Sequence, residues 1–106
     1  DFKDFNQDRD ELLRKCFQNG IERIINVGVD AETSRRSIEL AKKYERIFAS
    51  VGFHPHDAEK YNRKILLDLI KNKKVVAVGE IGLDYFRNLS PRDIQKTVFA
   101  EQIQIA

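Results

Sequence analysis

The chain has 106 residues, 42% of them hydrophobic, which suits one domain with a modest core and leaves little room for a second. With 19 Lys and Arg against 17 Asp and Glu, the formal net charge is only +2, so no long-range field toward a polyanion follows from composition. The single cysteine, Cys16, excludes an internal disulfide and fits a reducing compartment such as the cytoplasm, and neither a signal-peptide pattern nor an apolar run of transmembrane length is apparent.

Asp8 followed by Glu11 resembles a capping box, and Leu12, Leu13, Cys16 and Phe17 continue it as an apolar helical stripe, with Cys16 as a small core residue. Asn19-Gly20 stops this helix. Between Ile21 and Gly28, Ile24, Ile25 and Val27 read as a buried strand, and Asp30 can cap the helix that follows. Ala31, Ser34, Ile38 and Ala41 give that helix a narrow face of mostly small residues for packing on a sheet. A second strand, Ile47 to Gly52, leads directly into Phe53-His54-Pro55-His56-Asp57, where Pro55 fixes the backbone of a loop between two imidazoles.

Ile65, Leu66, Leu69 and Ile70 predict a third helix, ending in the basic turn Lys71-Asn72-Lys73-Lys74. Val75-Val76-Ala77-Val78 has no polar interruption, which suits a strand buried on both faces. It runs into Gly79-Glu80-Ile81-Gly82-Leu83-Asp84, placing two carboxylates beside glycines that permit a sharp turn and close approach to a ligand. Ser90 as N-cap and Pro91 at the first helical position start a last helix, with Ile94, Val98, Phe99 and Ile103 on its buried face. Asn88-Leu89-Ser90 matches a glycosylation acceptor but reads as noise without a secretory signal. Helix and strand alternate, with strand starts roughly 25 to 28 residues apart, the size of a β-α unit. This implies an α/β fold with a parallel sheet and right-handed crossovers.

The unusual polar residues all fall just after strands: Asp30 after the first, His54, His56 and Asp57 after the second, Glu80 and Asp84 after the third. In a β/α barrel these positions share one rim, where imidazole and carboxylate together suit Zn, Mn or Mg. Each residue also has a structural reading. Glu80 serves equally well as a cap or ion-pair partner, His54 and His56 as members of an ordinary turn, and Asp30 and Asp57 as helix N-caps. Lys71, Lys73 and Lys74 lie at the other end of the layer, as a solvated face.

Asn26-Val27-Gly28-Val29-Asp30, Val51-Gly52-Phe53-His54-Pro55-His56-Asp57, Val78-Gly79-Glu80-Ile81-Gly82-Leu83-Asp84-Tyr85 and Leu89-Ser90-Pro91-Arg92 occur in that order. Together they resemble the TatD family of metal-dependent deoxyribonucleases over essentially the whole chain. The resemblance implies a (β/α)8 TIM barrel of the amidohydrolase type. It also implies two divalent ions (Mg, Mn or Zn) and hydrolysis of DNA phosphodiester bonds, typically 3′ to 5′ on single strands or 3′ ends. Glu80 matches the family's metal-bridging glutamate, so it is the expected metal ligand. His54 and His56 match its His-Pro-His loop and are expected, with Glu80, in the catalytic set. Both histidines and Asp84 fall on the substrate side.

Family members open with a strand carrying a His-x-His pair, whereas Asp1-Phe2 resembles the residues just after it, and the later His and Asp ligands are likewise not found. Residues 1–106 therefore read as a partial barrel without the first strand and the C-terminal half. One carboxylate cannot hold two divalent ions, so this segment alone is expected to be inactive and to self-associate through open sheet edges. Two other functions fit the same fold: a related amidohydrolase acting on a cyclic amide or phosphotriester, and a non-catalytic α/β module binding a phosphate or a protein.

Overall fold

The computed structural model describes Phe5 and residues 7–106. Its elements are α1 (Arg9–Gln18), β1 (Ile24–Val27), α2 (Ala31–Lys43), β2 (Ile47–Val51), a 3₁₀ turn (Pro55–Lys60), α3 (Arg63–Leu69), β3 (Val75–Val78) and α4 (Arg92–Ile105). The three strands form one sheet in the order β1-β2-β3, with both pairings parallel. Ile24 pairs with Ile47 and Val27 with Ser50, while the β2–β3 register shifts between Ala49 and Ser50. The alternation predicted from sequence is thus present, and the strands start close to where their apolar runs do.

Local chemistry explains most of the boundaries. Asp30 caps α2: its Oδ1 accepts from the Thr33 backbone N–H at 2.7 Å, while Thr33 Oγ1 accepts from the Asp30 N–H at 3.0 Å. Burial opposes the charge on Asp30, but the bonds from Thr33 outweigh it and hold the carboxyl below its ordinary value. Gly20, at φ 91, ends α1 in the left-handed region where a side chain would be strained. Asn62 caps α3 through Ile65 N–H at 3.1 Å.

Other local expectations fail. Asp8 sits at the N-cap of α1 but makes no capping side-chain bond, so the Asp8/Glu11 capping box does not form. Of the α1 stripe only Leu13 is buried; Leu12 is exposed, and Cys16 is half-buried rather than core. Asp57 is no helix cap. It lies inside the 3₁₀ turn and pairs with Lys60 at 2.6 Å. Lys74 is not a solvated lysine either: its ammonium donates to the carbonyls of Tyr44, Glu45 and Ile47 at 2.8 to 3.2 Å, joining the end of α2 to the start of β2.

The core lies between the sheet and its helices, built on Ile38, Ala41, Ile47, Ala49, Val51 and Leu66. Fully burying an aliphatic side chain contributes about 1.5–3 kcal/mol, so β2, central and buried along most of its length, anchors the layer. The outer strands differ from expectation. Ile25 is 54% exposed and Val27 44%, although their run predicted a buried strand, and Val76 is 52% exposed, although its run predicted one buried on both faces. Parallel partners share a face, so Ile25, Phe48, Val27, Ser50 and Ala77 lie on one side of the sheet. Among the described residues the helices pack on the other side, and burial on two faces needs a second layer.

Candidate active site

The carboxyl ends of the three strands are tied to one another by backbone bonds. Gly28 N–H donates to Ser50 O at 2.9 Å, His54 N–H to Val29 O at 2.8 Å, Gly79 N–H to Val51 O at 2.9 Å and Glu80 N–H to Gly28 O at 3.2 Å. The ladder is therefore prolonged past the strands, and the segments carrying His54 and Glu80 are held side by side. Ser50 Oγ adds a bond to Gly79 O at 2.8 Å. Gly52 lets the second segment lie against the third: a Cβ there would fall 3.0 Å from Gly79 C and from Ile81 Cγ2. The Gly79–Glu80 peptide bond is cis.

On this frame four side chains meet. His54 Nε2 stands 3.6 Å from Glu80 Oε1, an ion-pair distance too long for a hydrogen bond. His54 Nδ1 accepts from His56 N–H at 3.2 Å, which leaves the His54 ring proton on Nε2, facing the Glu80 carboxylate. The two imidazoles stand edge to face with centroids 4.3 Å apart, and His56 Nε2 contacts Asp84 Oδ2. Asp84 Oδ1 accepts from the N–H groups of Phe86 at 3.0 Å and Arg87 at 2.9 Å. His54, His56 and Asp84 are largely shielded, with side-chain exposures of 22–26%, whereas Glu80 is 59% exposed. Glu80 is thus the carboxylate left open to a ligand.

The Arg87 N–H and the His56 contact hold the Asp84 carboxyl below its ordinary 3.8, against the opposing effect of burial. Because the folded value lies below the unfolded one, the stabilisation is complete above pH 3.8 and is lost as pH falls through the folded value. Asp84→Asn is therefore expected to lower the urea midpoint at neutral pH, with the two midpoints converging in acid. A gap that stays constant down the acid limb would show that the charge on Asp84 contributes nothing.

The rim gathers His54, His56, Glu80 and Asp84, as the spacing predicts; Asp30 serves α2, and Asp57 pairs with Lys60. Three residues that carry the rim, Ser90, Gln95 and Gln102, are unexpected. Ser90 does not cap α4, whose N-cap is Pro91; its hydroxyl donates instead to His56 O at 2.8 Å. The buried face of α4 carries Gln95, Val98 and Gln102, with Ile103 53% exposed and Ile94 and Phe99 only half-buried. The available signal was their spacing, since 95, 98 and 102 fall on one helical face.

A parallel β/α layer whose strand ends bring two imidazoles and two carboxylates to one rim is a protein of the TIM-barrel type. The sequence profile of the TatD related DNase family matches residues 1–106, and the chain belongs to that family. It is 40% identical over 105 residues to the uncharacterized metal-dependent hydrolase YabD of Bacillus subtilis, covering 96% of this chain and 41% of that protein. It is 32% identical to the 3'-5' ssDNA/RNA exonuclease TatD of Salmonella typhimurium, covering 96% of this chain and 40% of that one. The crystal structure of YJJV, a TatD homologue from Escherichia coli, superposes with a TM-score of 0.87 at 34% identity, over all of this chain and 43% of YJJV. The chain thus spans about 40% of the length of the curated relatives it matches.

Relatives named as metal-dependent raise the question of a metal here. Among the described residues no group of three or more His, Cys, Asp or Glu side chains is placed to hold an ion. His54 turns its Nε2–H toward Glu80 and has its Nδ1 lone pair taken by His56 N–H, so Glu80 is left as one donor, fewer than a Zn, Mn or Mg centre takes from its protein ligands. By themselves these residues do not complete a metal centre. No helix among the described residues is long and apolar enough to cross a membrane.

Proposed function

We propose that residues 1–106 are part of a TatD-type metal-dependent phosphodiesterase of the cytoplasm that shortens single-stranded DNA or RNA from the 3′ end. The observation that carries this reading is the open carboxylate of Glu80, held 3.6 Å from His54 on the strand-end rim. In the proposed enzyme Glu80 contributes one donor to a centre of two divalent ions (Mg, Mn or Zn), whose other ligands lie outside these residues. The ions, when bound, supply charge stabilisation at the phosphoryl oxygens and activate water. His54 and His56 face the substrate phosphate, His54 through its Nε2–H, and Asp84 serves the substrate side by orienting His56.

The same reading accounts for the uncovered sheet face. Ile25, Val27 and Val76 then line the lumen of a closed barrel, and β1 and β3 pair with strands outside this segment. The proposal is tested with a 5′-labelled single-stranded oligonucleotide in Mg, Mn or Zn. The full-length polypeptide is expected to shorten it stepwise, and EDTA to stop the reaction. Residues 1–106 alone are expected to release no nucleotide and to scatter light as more than a 12.4 kDa monomer. An oligonucleotide left intact by the full-length polypeptide in all three metals would defeat the reading.

A further inference from the structure

We infer that Gln95 and Gln102 are positioning residues that fix the two halves of the rim to one helix, α4. The inference rests on reading the rim as an active site. Both glutamines are 1% exposed, and both use the oxygen and the nitrogen of the amide. Gln102 Oε1 accepts from Phe53 N–H at 2.8 Å while its Nε2 donates to Phe53 O at 3.0 Å, clasping the backbone of the residue before His54. Gln95 Oε1 accepts from Asp84 N–H at 2.8 Å, and its Nε2 donates to Asp84 O at 3.2 Å and Ser90 O at 2.7 Å. Ser90 Oγ in turn holds His56 O at 2.8 Å.

Gln95 therefore restrains both members of the His56–Asp84 pair, one directly and one through Ser90, although the pair is 28 residues apart in sequence. Gln102 restrains the approach to His54. The glutamines are seven positions apart on one face, about 10 Å along the axis at 1.5 Å per residue, so α4 sets the spacing between the two segments. Packing alone would be served by an apolar side chain, and a buried amide is retained where both its oxygen and its nitrogen find a partner. Here each replacement is made to Phe53, Asp84 or Ser90, all of which adjoin or support the rim.

The test uses the full-length polypeptide with Gln95→Met and Gln102→Met, which keep the length of the side chain and remove its hydrogen bonds. Each is expected to lower kcat/KM on single-stranded DNA by about 10- to 100-fold, the loss that small misplacement of reacting groups brings. Val98→Ala, between them on the same face, should lower the melting temperature while kcat/KM of the folded protein stays unchanged. In a His56→Ala/Asp84→Ala background, which removes both side chains that Gln95 positions, Gln95→Met should add nothing, and in a His54→Ala background Gln102→Met should add nothing; losses that multiply would overturn the assignment. Amide exchange gives a readout without turnover: Phe53 and Asp84 N–H should be protected in the wild type and lose protection selectively in Gln102→Met and Gln95→Met. Should either Met variant fail to fold, Gln102→Asn and Gln95→Asn, which keep a neutral amide and shorten its reach by one methylene, should lose protection at Phe53 and Asp84 together with activity. Protected amides in a wild type that does not cut DNA would sink the nuclease reading and leave the clamp standing. Amides indifferent to both glutamines would sink the clamp whatever the activity.

Discussion

Glu80→Gln in the full-length polypeptide is expected to lower kcat by about 10³-fold while the protein melts where the wild type does. The asymmetry follows from where the side chain sits. It is 59% exposed and stands 3.6 Å from His54, too far for a hydrogen bond, so replacing one oxygen by an amide nitrogen disturbs little packing, and exposed substitutions usually change stability by less than about 0.5 kcal/mol. The same change removes the negative charge by which Glu80 would help hold divalent ions. Such ions contribute several kcal/mol to the transition state, and each 1.36 kcal/mol is about tenfold in rate. Steady-state kinetics on a single-stranded oligonucleotide, with metal content measured on the same preparation, decides the matter. A variant that keeps its full rate would remove Glu80 from the chemistry.

Gly28→Ala is expected to be the most damaging small substitution in the fold. A Cβ at Gly28 would lie 2.4 Å from Ser34 Cα, 2.5 Å from Ser34 Oγ and 2.6 Å from Ser34 N, so the backbone of the first turn of α2 would have to move. Overpacking typically costs 1–3 kcal/mol and occasionally more, and here the shift also strains the bonds from Gly28 N–H to Ser50 O and from Glu80 N–H to Gly28 O. A loss of about 3 kcal/mol is expected, which at a urea m-value of about 2 kcal/mol/M moves the midpoint by more than about 1 M. Because Glu80 hangs on Gly28, the folded remainder should also be less active. An unchanged midpoint would mean that strand and helix tolerate an extra methyl between them.

The places where sequence and structure part company share a cause. Ser90-Pro91 is a sound helix start by local rules, yet Ser90 Oγ is taken by His56 O, a partner 34 residues away. Hydrophobic periodicity assigns the buried face of α4 to Ile94, Val98, Phe99 and Ile103. The helix instead turns so that Gln95 and Gln102 reach the backbone of Asp84 and Phe53. Lys74 reads as one charge in a basic turn and proves to be a cap for three carbonyls about 30 residues earlier, at the start of the neighbouring strand. In each case a polar group finds a partner distant in sequence, and apolar patterning carries no information about such partners.

The sequence by itself determined the alternation of helix and strand, the Asp30 cap, the stop at Gly20 and the gathering of His54, His56, Glu80 and Asp84 after strands, because these depend on short-range propensity and on the chirality of β-α crossovers. Only the tertiary structure decided which of those groups touch. It sets Glu80 open beside His54, shields His56 against Asp84, and leaves Ile25, Val27 and Val76 uncovered where their runs predicted burial. The physical reason is that a hydrogen bond or a buried face is completed by whatever packs against it, and that partner is set by the spacing of whole elements rather than by neighbours in the chain.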